Sequence, residues 1–261
     1  LWGCLIAVAC IAVSAAAPAL AATYTFVPGG ANDWWETTTN WSPVGLPNSV
    51  DDIVIFNASA SPNYSTNTHS GSPYTVQELR FDTPSAWRMH NNERDIALNG
   101  PGASALVTQN GSGAVTFDCD LRLDDTTTFT GAGTGNLTVN GSILTGAGQR
   151  LGIFGTGALI KEGGYTLTIN PAGSYSGGTT LTSGTIVVNN SAGLGTGAVT
   201  MNGGTLNTSV NLANPIVLND TANTIAPNGN YQRLTGQISG PGGFTVASGG
   251  SFATSIPDGS S

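Results

Sequence analysis

The sequence predicts an all-β protein built as a solenoid, in which short strands stack in successive coils. Gly, Thr, Asn and Ser make up 117 of the 261 residues, a composition that favours turns and polar strand faces. Short apolar triplets alternate with polar residues and are followed by Gly or Asn, as in many-stranded β proteins. Glycine pairs recur between the triplets, where the corners of stacked coils need unusual φ angles.

The composition excludes several other classes. A helical bundle or coiled coil needs Ala, Leu, Glu and Lys at helical spacing, which this chain does not provide. Seven Lys and Arg residues cannot form the basic surface of a nucleic-acid-binding protein. The 39% apolar content is too high for a disordered chain of low net charge per residue.

The first 21 residues have the features of a signal peptide. An apolar stretch from Leu5 to Val13 is followed by Pro18 and the small-x-small sequence Ala19-Leu20-Ala21. The stretch is too short to span about 30 Å of hydrocarbon, and the mature chain contains no stretch of transmembrane length. We therefore expect an exported protein, cleaved after Ala21, whose first residue Leu1 indicates a clipped N-terminus.

Cysteine usage fits export without disulfides. Cys4 and Cys10 fall in the signal peptide, so the mature chain retains Cys119 alone. Period-2 alternation places Cys119 on the same side as Phe117 and Leu121. We expect it to be a core residue and not a reactive thiol.

The charges divide the mature chain into two parts. Residues 33–125 hold twelve acidic residues and four arginines, which account for the whole net charge of -8. From residue 126 onward three acids balance three bases. We predict an aromatic-rich β cap region over residues 22–100 and a β-solenoid over residues 101–261.

The predicted core of the solenoid follows from the alternation in residues 157–206. One side chain in every two along each triplet is aliphatic and is expected to face inward. A short self-match, residues 153–159 with residues 238–244, supports internal repetition. The expected inward residues are Leu159, Leu167, Ile169, Leu181, Ile186, Val188, Val199, Met201 and Leu206.

Residues 157–206 resemble the autotransporter-associated β-strand repeat of large bacterial surface proteins, and residues 234–246 resemble the start of a second copy. The resemblance implies a right-handed parallel β-helix, exported across a Gram-negative envelope and displayed at the outer membrane or secreted, with no catalytic residues. It also leads us to expect that the chain is part of a longer polypeptide. The matching segments are Gly157–Gly163, Leu167–Ile169, Tyr175–Leu181, Gly184–Ile186, Leu194–Thr200 and Gly203–Leu206.

The segments around Trp34, Trp35 and Trp41 resemble the region that often precedes such repeats. We expect these tryptophans to cover the apolar end of the first coil, which would otherwise expose unpaired strand edges. An aromatic platform for sugar binding is the alternative, since large aromatic rings serve either purpose.

No catalytic constellation emerges. Asp118, Asp120, Asp124 and Asp125 form the densest carboxylate cluster, and alternation places Asp118 and Asp120 outward beside Arg122. A carbohydrate-active β-helix enzyme, a polysaccharide lyase or hydrolase, would use such carboxylates on successive coils. We instead interpret the cluster as a solvated acidic face.

The remaining polar residues give no cofactor or metal site. His69 and His90 lie in polar segments and are expected to face solvent, and two His with one Cys are too few for zinc. Lys161 lacks the glycine frame of a phosphate-binding loop. We expect no catalytic, cofactor-binding or metal-binding residue.

Outward threonines raise one further hypothesis. Thr166 with Thr168, and Thr180 with Thr182, form pairs that could belong to an array binding carbohydrate or ice. Threonine is equally a favourable residue for a solvated strand face. The sequence thus predicts a structural or adhesin-like surface protein whose partner is a carbohydrate or a ligand on a host or neighbouring cell. A carbohydrate-binding module is a further alternative.

Overall fold

The protein is almost entirely β-structure, as predicted. The structure, a computed structural model, describes residues 21–27, 34–57, 64–68, 73–91, 95–141, 152–228, 232–247 and 252–254, and of residues 64–68, 91 and 252–254 only the backbone. The predicted signal peptide, apart from residue 21, lies outside these residues.

Strands are short because Gly, Asn or Ser follows most apolar triplets and ends the extended segment. A single-turn 3-10 helix, Thr38–Asn40, precedes the second strand. The strands of the first half are β1 (Thr23–Phe26), β2 (Trp41–Ser42), β3 (Ile53–Phe56), β4 (Tyr64–Thr68), β5 (Tyr74–Val76), β6 (Glu78–Phe81), β7 (Trp87–Asn91), β8 (Ile96–Leu98), β9 (Ser104–Gln109), β10 (Val115–Asp118), β11 (Leu121–Leu123), β12 (Thr126–Thr130) and β13 (Leu137–Val139). The strands of the second half are β14 (Ile153–Gly155), β15 (Leu159–Lys161), β16 (Thr166–Ile169), β17 (Thr179–Leu181), β18 (Thr185–Val188), β19 (Val199–Met201), β20 (Thr205–Thr208), β21 (Ile216–Leu218), β22 (Asn223–Pro227), β23 (Gln232–Leu234), β24 (Ile238–Ser239), β25 (Phe244–Val246) and β26 (Phe252–Thr254).

The strands assemble into two long sheets and two short ones. The first sheet has the order β2-β1-β3-β6-β9-β12-β15-β17-β19-β21-β24, and the second has the order β25-β22-β20-β18-β16-β13-β10-β7-β4. Sheets of four strands (β14-β11-β8-β5) and two strands (β23-β26) complete the described part. Long sheets of non-consecutive strands are consistent with a β-helix or solenoid.

Pairing between named strands is parallel throughout the described residues, except that β2 runs antiparallel to β1. In the second sheet, Thr166 pairs with Thr185, Thr185 with Thr205 and Thr205 with Thr224. One circuit of the chain therefore takes about 20 residues from β16 to β22, whereas the circuit from Leu137 to its partner Leu167 takes 30. The first sheet is continuous across the predicted boundary between the cap region and the solenoid at residue 100, since β6, before the boundary, pairs with β9, after it.

The predicted alternation is confirmed. Every inward residue expected in residues 157–206 is at most 1% exposed, while Thr166, Thr168 and Thr180 are partly exposed and Thr182 is exposed. Burial of one side of each strand drives the coils together. The self-match of residues 153–159 with 238–244 was wrong as a guide to equivalent positions, because Ile153 lies in the four-stranded sheet and Ile238 in the first sheet.

The core changes character along the stack. Towards β1 it is aromatic: Phe26, Trp41, Phe56 and Trp87 form a chain of ring contacts, with centroids 5.3 Å apart between Phe26 and Trp41 and 4.8 Å apart between Phe56 and Trp87. From β13 onward the inward residues are mainly Leu, Ile and Val. The aromatic end thus coincides with the antiparallel β2, which covers the edge of β1.

Glycine lies where consecutive coils turn in close contact. Gly184 has φ +74°, and a Cβ added there would be 2.3 Å from the carbonyl oxygen of Gly163. Gly163 itself has φ +75°, and its added Cβ would be 2.5 Å from the oxygen of Gly131. At Gly163, a predicted corner residue, and at Gly184, glycine is required both by the backbone conformation and by the spacing of the coils, whereas at Gly164, the other member of the predicted pair, an added Cβ would meet nothing within 4 Å.

Candidate functional site

The carboxylate cluster is not the solvated face that the sequence suggested. Asp118 and Asp120 are 2% and 1% exposed, so the prediction that both face outward into solvent was wrong. Asp118 lies at the end of β10, and Arg88 on β7 forms an ion pair with its carboxylate. The Asn140 side chain donates a 2.7 Å hydrogen bond to Oδ1 of Asp118.

Neighbouring coils explain this burial. Asp118 is paired in register with His90 of the preceding coil, and His90 Nδ1 lies 3.9 Å from Oδ2. Asn140 belongs to the following coil. Alternation correctly turns Asp118 away from the apolar core, but long side chains from both sides cover it.

Asp120 is buried for a different reason. It occupies the corner between β10 and β11, where period-2 alternation no longer applies. Its Oδ1 accepts a 2.7 Å hydrogen bond from the backbone N–H of Gly152. Such a bond satisfies a buried acceptor and joins two coils.

The other two carboxylates have separate partners. Arg122 forms a two-pronged ion pair with Asp124, with contacts of 2.8 and 2.7 Å. Asp125 accepts a 3.0 Å hydrogen bond from the N–H of Gly100. All four aspartates thus hold the chain together at different points, and their bonds are structural in character.

Cys119 is fully buried, as predicted. Burial raises the pKa of its thiol well above the ordinary value, and the neighbouring carboxylates of Asp120, Asp118 and Asp95 raise it further. A thiol in this environment stays protonated and is a poor nucleophile.

Of the two histidines, His69 lies outside the described residues. The His90 side chain is 33% exposed and faces Asp118. Among the described residues, no group of three or more His, Cys, Asp or Glu side chains is placed to hold a metal ion.

The tryptophans divide between core and surface. Trp35 and Trp41 are at most 1% exposed, and their rings are 4.9 Å apart. Trp35 also stacks on Tyr74 at 5.5 Å. Trp34 is 38% exposed. Two of the three expected cap residues therefore pack into the aromatic end of the core.

Lys161 is a functional candidate that the sequence reasoning missed. It is fully buried at an inward position of β15, in register with Phe129 and Leu181. Its Nζ donates to the carbonyl oxygens of Glu162, of Gly163 at 2.9 Å and of Ser183 at 3.4 Å. The alternation Leu159-Ile160-Lys161 could have revealed it, because that pattern already placed the lysine inward.

The Lys161 ammonium also lies 3.8 Å from the centre of the Tyr165 ring, a cation–π distance. Burial lowers the pKa of Lys161 to about 8, against a smaller opposing effect of Glu162. Burial raises the pKa of Tyr165. The carbonyl oxygens and the aromatic ring compensate a buried cation in this coil.

A ladder of side-chain amides follows the outer surface of the second sheet, just beyond its strands. Asn140 donates to Asp118, and Asn170 donates to Asn140 at 2.7 Å. Asn189 donates to Asn170 at 2.8 Å, and Ser209 Oγ donates to Asn189 at 2.9 Å. We call these five residues the amide ladder. Every bond in it points towards the N-terminal end of the stack.

A surface cavity of about 170 Å³ lies beside the Tyr175–Leu181 segment. Thr179 in its lining is held by two contacts: the Tyr175 hydroxyl lies 2.6 Å from Thr179 Oγ1, and the Thr179 hydroxyl donates a 3.1 Å hydrogen bond to the carbonyl oxygen of Leu194. The lining residues are Ser176, Gly177, Gly178, Thr179, Thr180, Gly197, Ala198 and Thr200.

These features define a class: an all-β protein of long parallel sheets, consistent with a solenoid. The four clustered aspartates of this protein form ion pairs and hydrogen bonds with other groups of the chain. Among curated proteins, the chain is similar to the adhesin BmaC autotransporter of Brucella suis biovar 1 (strain 1330), with 34% identity over 105 residues, or 40% of this chain. The chain spans 3% of that relative's length. No protein-family model and no solved structure matches the chain.

At this level of coverage the similarity supports a distant autotransporter-like relationship. In the part of the chain that the structure describes, no helix has both the length and the apolarity needed to cross a membrane.

Proposed function

We propose that the chain is a passenger-type module of a bacterial surface protein: a right-handed parallel β-helix that is exported, projects from the outer membrane of a Gram-negative cell and adheres without catalysis. Residues 1–21 are its signal peptide, residues 22–100 its cap region, and residues 101–261 its repeated part. Its partner is a surface carbohydrate or a ligand on a host or neighbouring cell.

The observation that carries this proposal is the register of the two long sheets. Parallel pairing is maintained from β3 to β24 in the first sheet and from β4 to β25 in the second. Each coil therefore presents the same few outward positions again. Repeated weak contacts add through avidity, so no deep pocket is needed for firm attachment. The similarity to an adhesin autotransporter supports the same function.

The partners of the carboxylates support a non-catalytic module over a polysaccharide lyase or hydrolase. Asp118 is bound by Arg88 and Asn140, and Asp120 by the N–H of Gly152. A general acid or base must reach the substrate, whereas these two groups are at most 2% exposed.

Adhesion of displayed cells tests the proposal. The full chain is fused to a heterologous translocator on a non-adherent Gram-negative strain, and attachment to polysaccharide-coated and cell-coated surfaces is counted. Leu167→Asp, which unfolds the core, is the control. Cells that display the intact chain are expected to attach more than control cells. Equal attachment, with display verified by antibody, would refute an adhesive role.

A separate assay tests the absence of catalysis. The purified chain is incubated with acidic and neutral polysaccharides, and released reducing ends or unsaturated products are measured. We expect no turnover. Turnover that Asp120→Ala abolishes would overturn the non-catalytic function.

A further inference from the structure

We infer that the outer face of the second sheet, from β13 to β25, is the adhesive surface and that it binds a neutral, linear polysaccharide laid along the stack. This inference rests on the proposed adhesive function and names the surface and the chemistry of its partner.

The strands of this face are uncharged from β13 to β25. Strands β13, β16, β18, β20, β22 and β25 contain no Asp, Glu, Lys, Arg or His. The same sheet carries Arg88, His90 and Asp118 only in its earlier coils. In the other long sheet the ion pair of Glu78 with Arg80 also lies on an early strand, β6, and strands β17, β19, β21 and β24 are uncharged as well. The rows of hydroxyl and amide groups therefore distinguish the second sheet. A face without charge suits an uncharged polymer, because no ion has to lose its hydration when the polymer binds.

The same face carries a regular row of threonine hydroxyl groups. Thr166, Thr185, Thr205, Thr224 and Thr245 are paired in register, one in each successive coil. All five are at least partly exposed. Coils are separated by the usual strand spacing of about 4.8 Å, so the row repeats hydroxyls along the axis of the stack.

The side-chain amides of the amide ladder have donor and acceptor positions beyond those used in the ladder bonds. An amide has two donors and two acceptor positions. In Asn170, one N–H donates to Asn140 and the carbonyl accepts from Asn189, which fixes the orientation of the side chain. The second N–H and a further lone pair are outside these ladder bonds, and Asn140, Asn170 and Asn189 are exposed. Fixed amides bind sugar hydroxyls at a small entropic cost.

Between these two rows lies a third, formed by Thr138, Thr168, Val187 and Asn207 in register. The face therefore presents three parallel rows, with hydroxyl, mixed and amide character. A linear glycan with regularly spaced hydroxyls can contact several coils at once, and a short oligosaccharide cannot.

Affinity gel electrophoresis of the purified full chain tests this inference, with dextran, mixed-linkage β-glucan and galactomannan as neutral probes and polygalacturonate as the acidic probe. We expect retardation by at least one neutral polymer, and at least ten-fold weaker retardation by polygalacturonate. Oligosaccharides of two or three units should compete at least one hundred-fold less well than the polymer, because avidity is lost.

Thr168→Glu places a charge in the middle row and should weaken retardation at least ten-fold. Thr180→Glu is the matched control, since Thr180 is a partly exposed threonine of the next strand, β17, in the other long sheet. Thr138→Glu, one coil earlier in the same row, replaces Thr168→Glu if the latter fails to fold. Melting curves establish that each tested variant is folded.

Three results would overturn the inference: no retardation by any neutral polymer, equal or tighter binding of polygalacturonate, or equal losses in the Thr168 and Thr180 variants. Failure of the proposed function is distinguishable from these. If displayed cells attach but Thr168→Glu attaches equally well, the assignment of the face is wrong while adhesion stands. If the purified chain binds the polymer but displayed cells do not attach, the adhesive function is wrong instead.

Discussion

Lys161 gives a quantitative test of how the core tolerates a buried cation. Burial lowers its pKa from the ordinary 10.5 to about 8. In the unfolded chain the lysine keeps its proton up to about pH 10.5, whereas the folded chain releases it from about pH 8. The unfolded state then binds more protons over this interval, so stability must rise with pH.

The magnitude follows from the shift. One pKa unit corresponds to about 1.36 kcal/mol. Because Lys161 is half deprotonated in the folded chain at pH 8 and almost fully deprotonated at pH 9.5, this rise in pH should stabilise the folded chain by about 1.6 kcal/mol through this group. The carbonyl oxygens of Gly163 and Ser183 favour the charged form, so about 1.6 kcal/mol is an upper bound.

The perturbation is Lys161→Met, which retains an unbranched side chain and removes the ammonium. The assay is urea unfolding followed by far-ultraviolet circular dichroism at about pH 7, 8, 9 and 9.5. The quantity compared is the wild-type free energy of unfolding minus that of the variant. We expect this difference to increase by up to about 1.6 kcal/mol from pH 8 to pH 9.5.

Subtracting the free energy of unfolding of the variant from that of the wild type removes the contributions of the other titrating groups. Burial raises the pKa of both Tyr165 and Tyr175, so these phenols lower stability only as the pH passes the ordinary tyrosine pKa of about 10. They occur in both proteins and largely cancel. A difference that falls with pH would refute the reasoning, because it would mean that the carbonyl cage and the Tyr165 ring raise the pKa of Lys161.

Five further substitutions, in three separate tests, examine the stacking of the coils. Leu167→Asp should cost at least about 4 kcal/mol, because it puts a charge in the core, while Thr168→Asp should change stability by about 0.5 kcal/mol or less; similar melting losses would contradict the assigned alternation. Gly184→Ala should cost about 1–3 kcal/mol, since its Cβ would be 2.3 Å from a carbonyl oxygen of the previous coil, and an unchanged melting temperature would refute that contact. Asp118→Asn should cost about 1–3 kcal/mol by weakening a buried ion pair, whereas the more exposed Asp124→Asn should cost less than about 1 kcal/mol; equal denaturation midpoints would contradict the difference in burial.

Much of the fold was predictable because one rule, alternation along a strand, decides which side chains are buried. The rule placed Leu167 and Val199 correctly, since Leu167 is in register with Leu137 and Val199 with Ile216. It needed no knowledge of how far the coils extend.

The same rule failed where a side chain's surroundings come from other coils. Asp118 turns away from the core, yet Arg88 and Asn140, 30 residues before it and 22 after it, cover its carboxylate. Asp120 lies at a corner, where the chain direction changes. Only three-dimensional register brings these partners together.

Polar inward residues were the other difficulty. Alternation places Lys161 inward, but a charged side chain is not expected in an apolar core. Its burial is explained only by the backbone carbonyl oxygens that accept its hydrogen bonds. The amide ladder could not be predicted from the sequence either, because Asn170 and Asn189 are each typical of residues in turns. What joins them is a circuit length of about 20 residues that aligns them.

The glycine corners constrain how such a chain can change over evolutionary time. At Gly163 and Gly184 the backbone of one coil lies against a carbonyl oxygen of the coil before it, so these positions admit almost no variation. Outward positions such as Thr168 carry no comparable restriction. Substitutions can therefore accumulate at outward positions while the corner glycines and the backbone fold are retained, so that binding specificity can change without a change of fold.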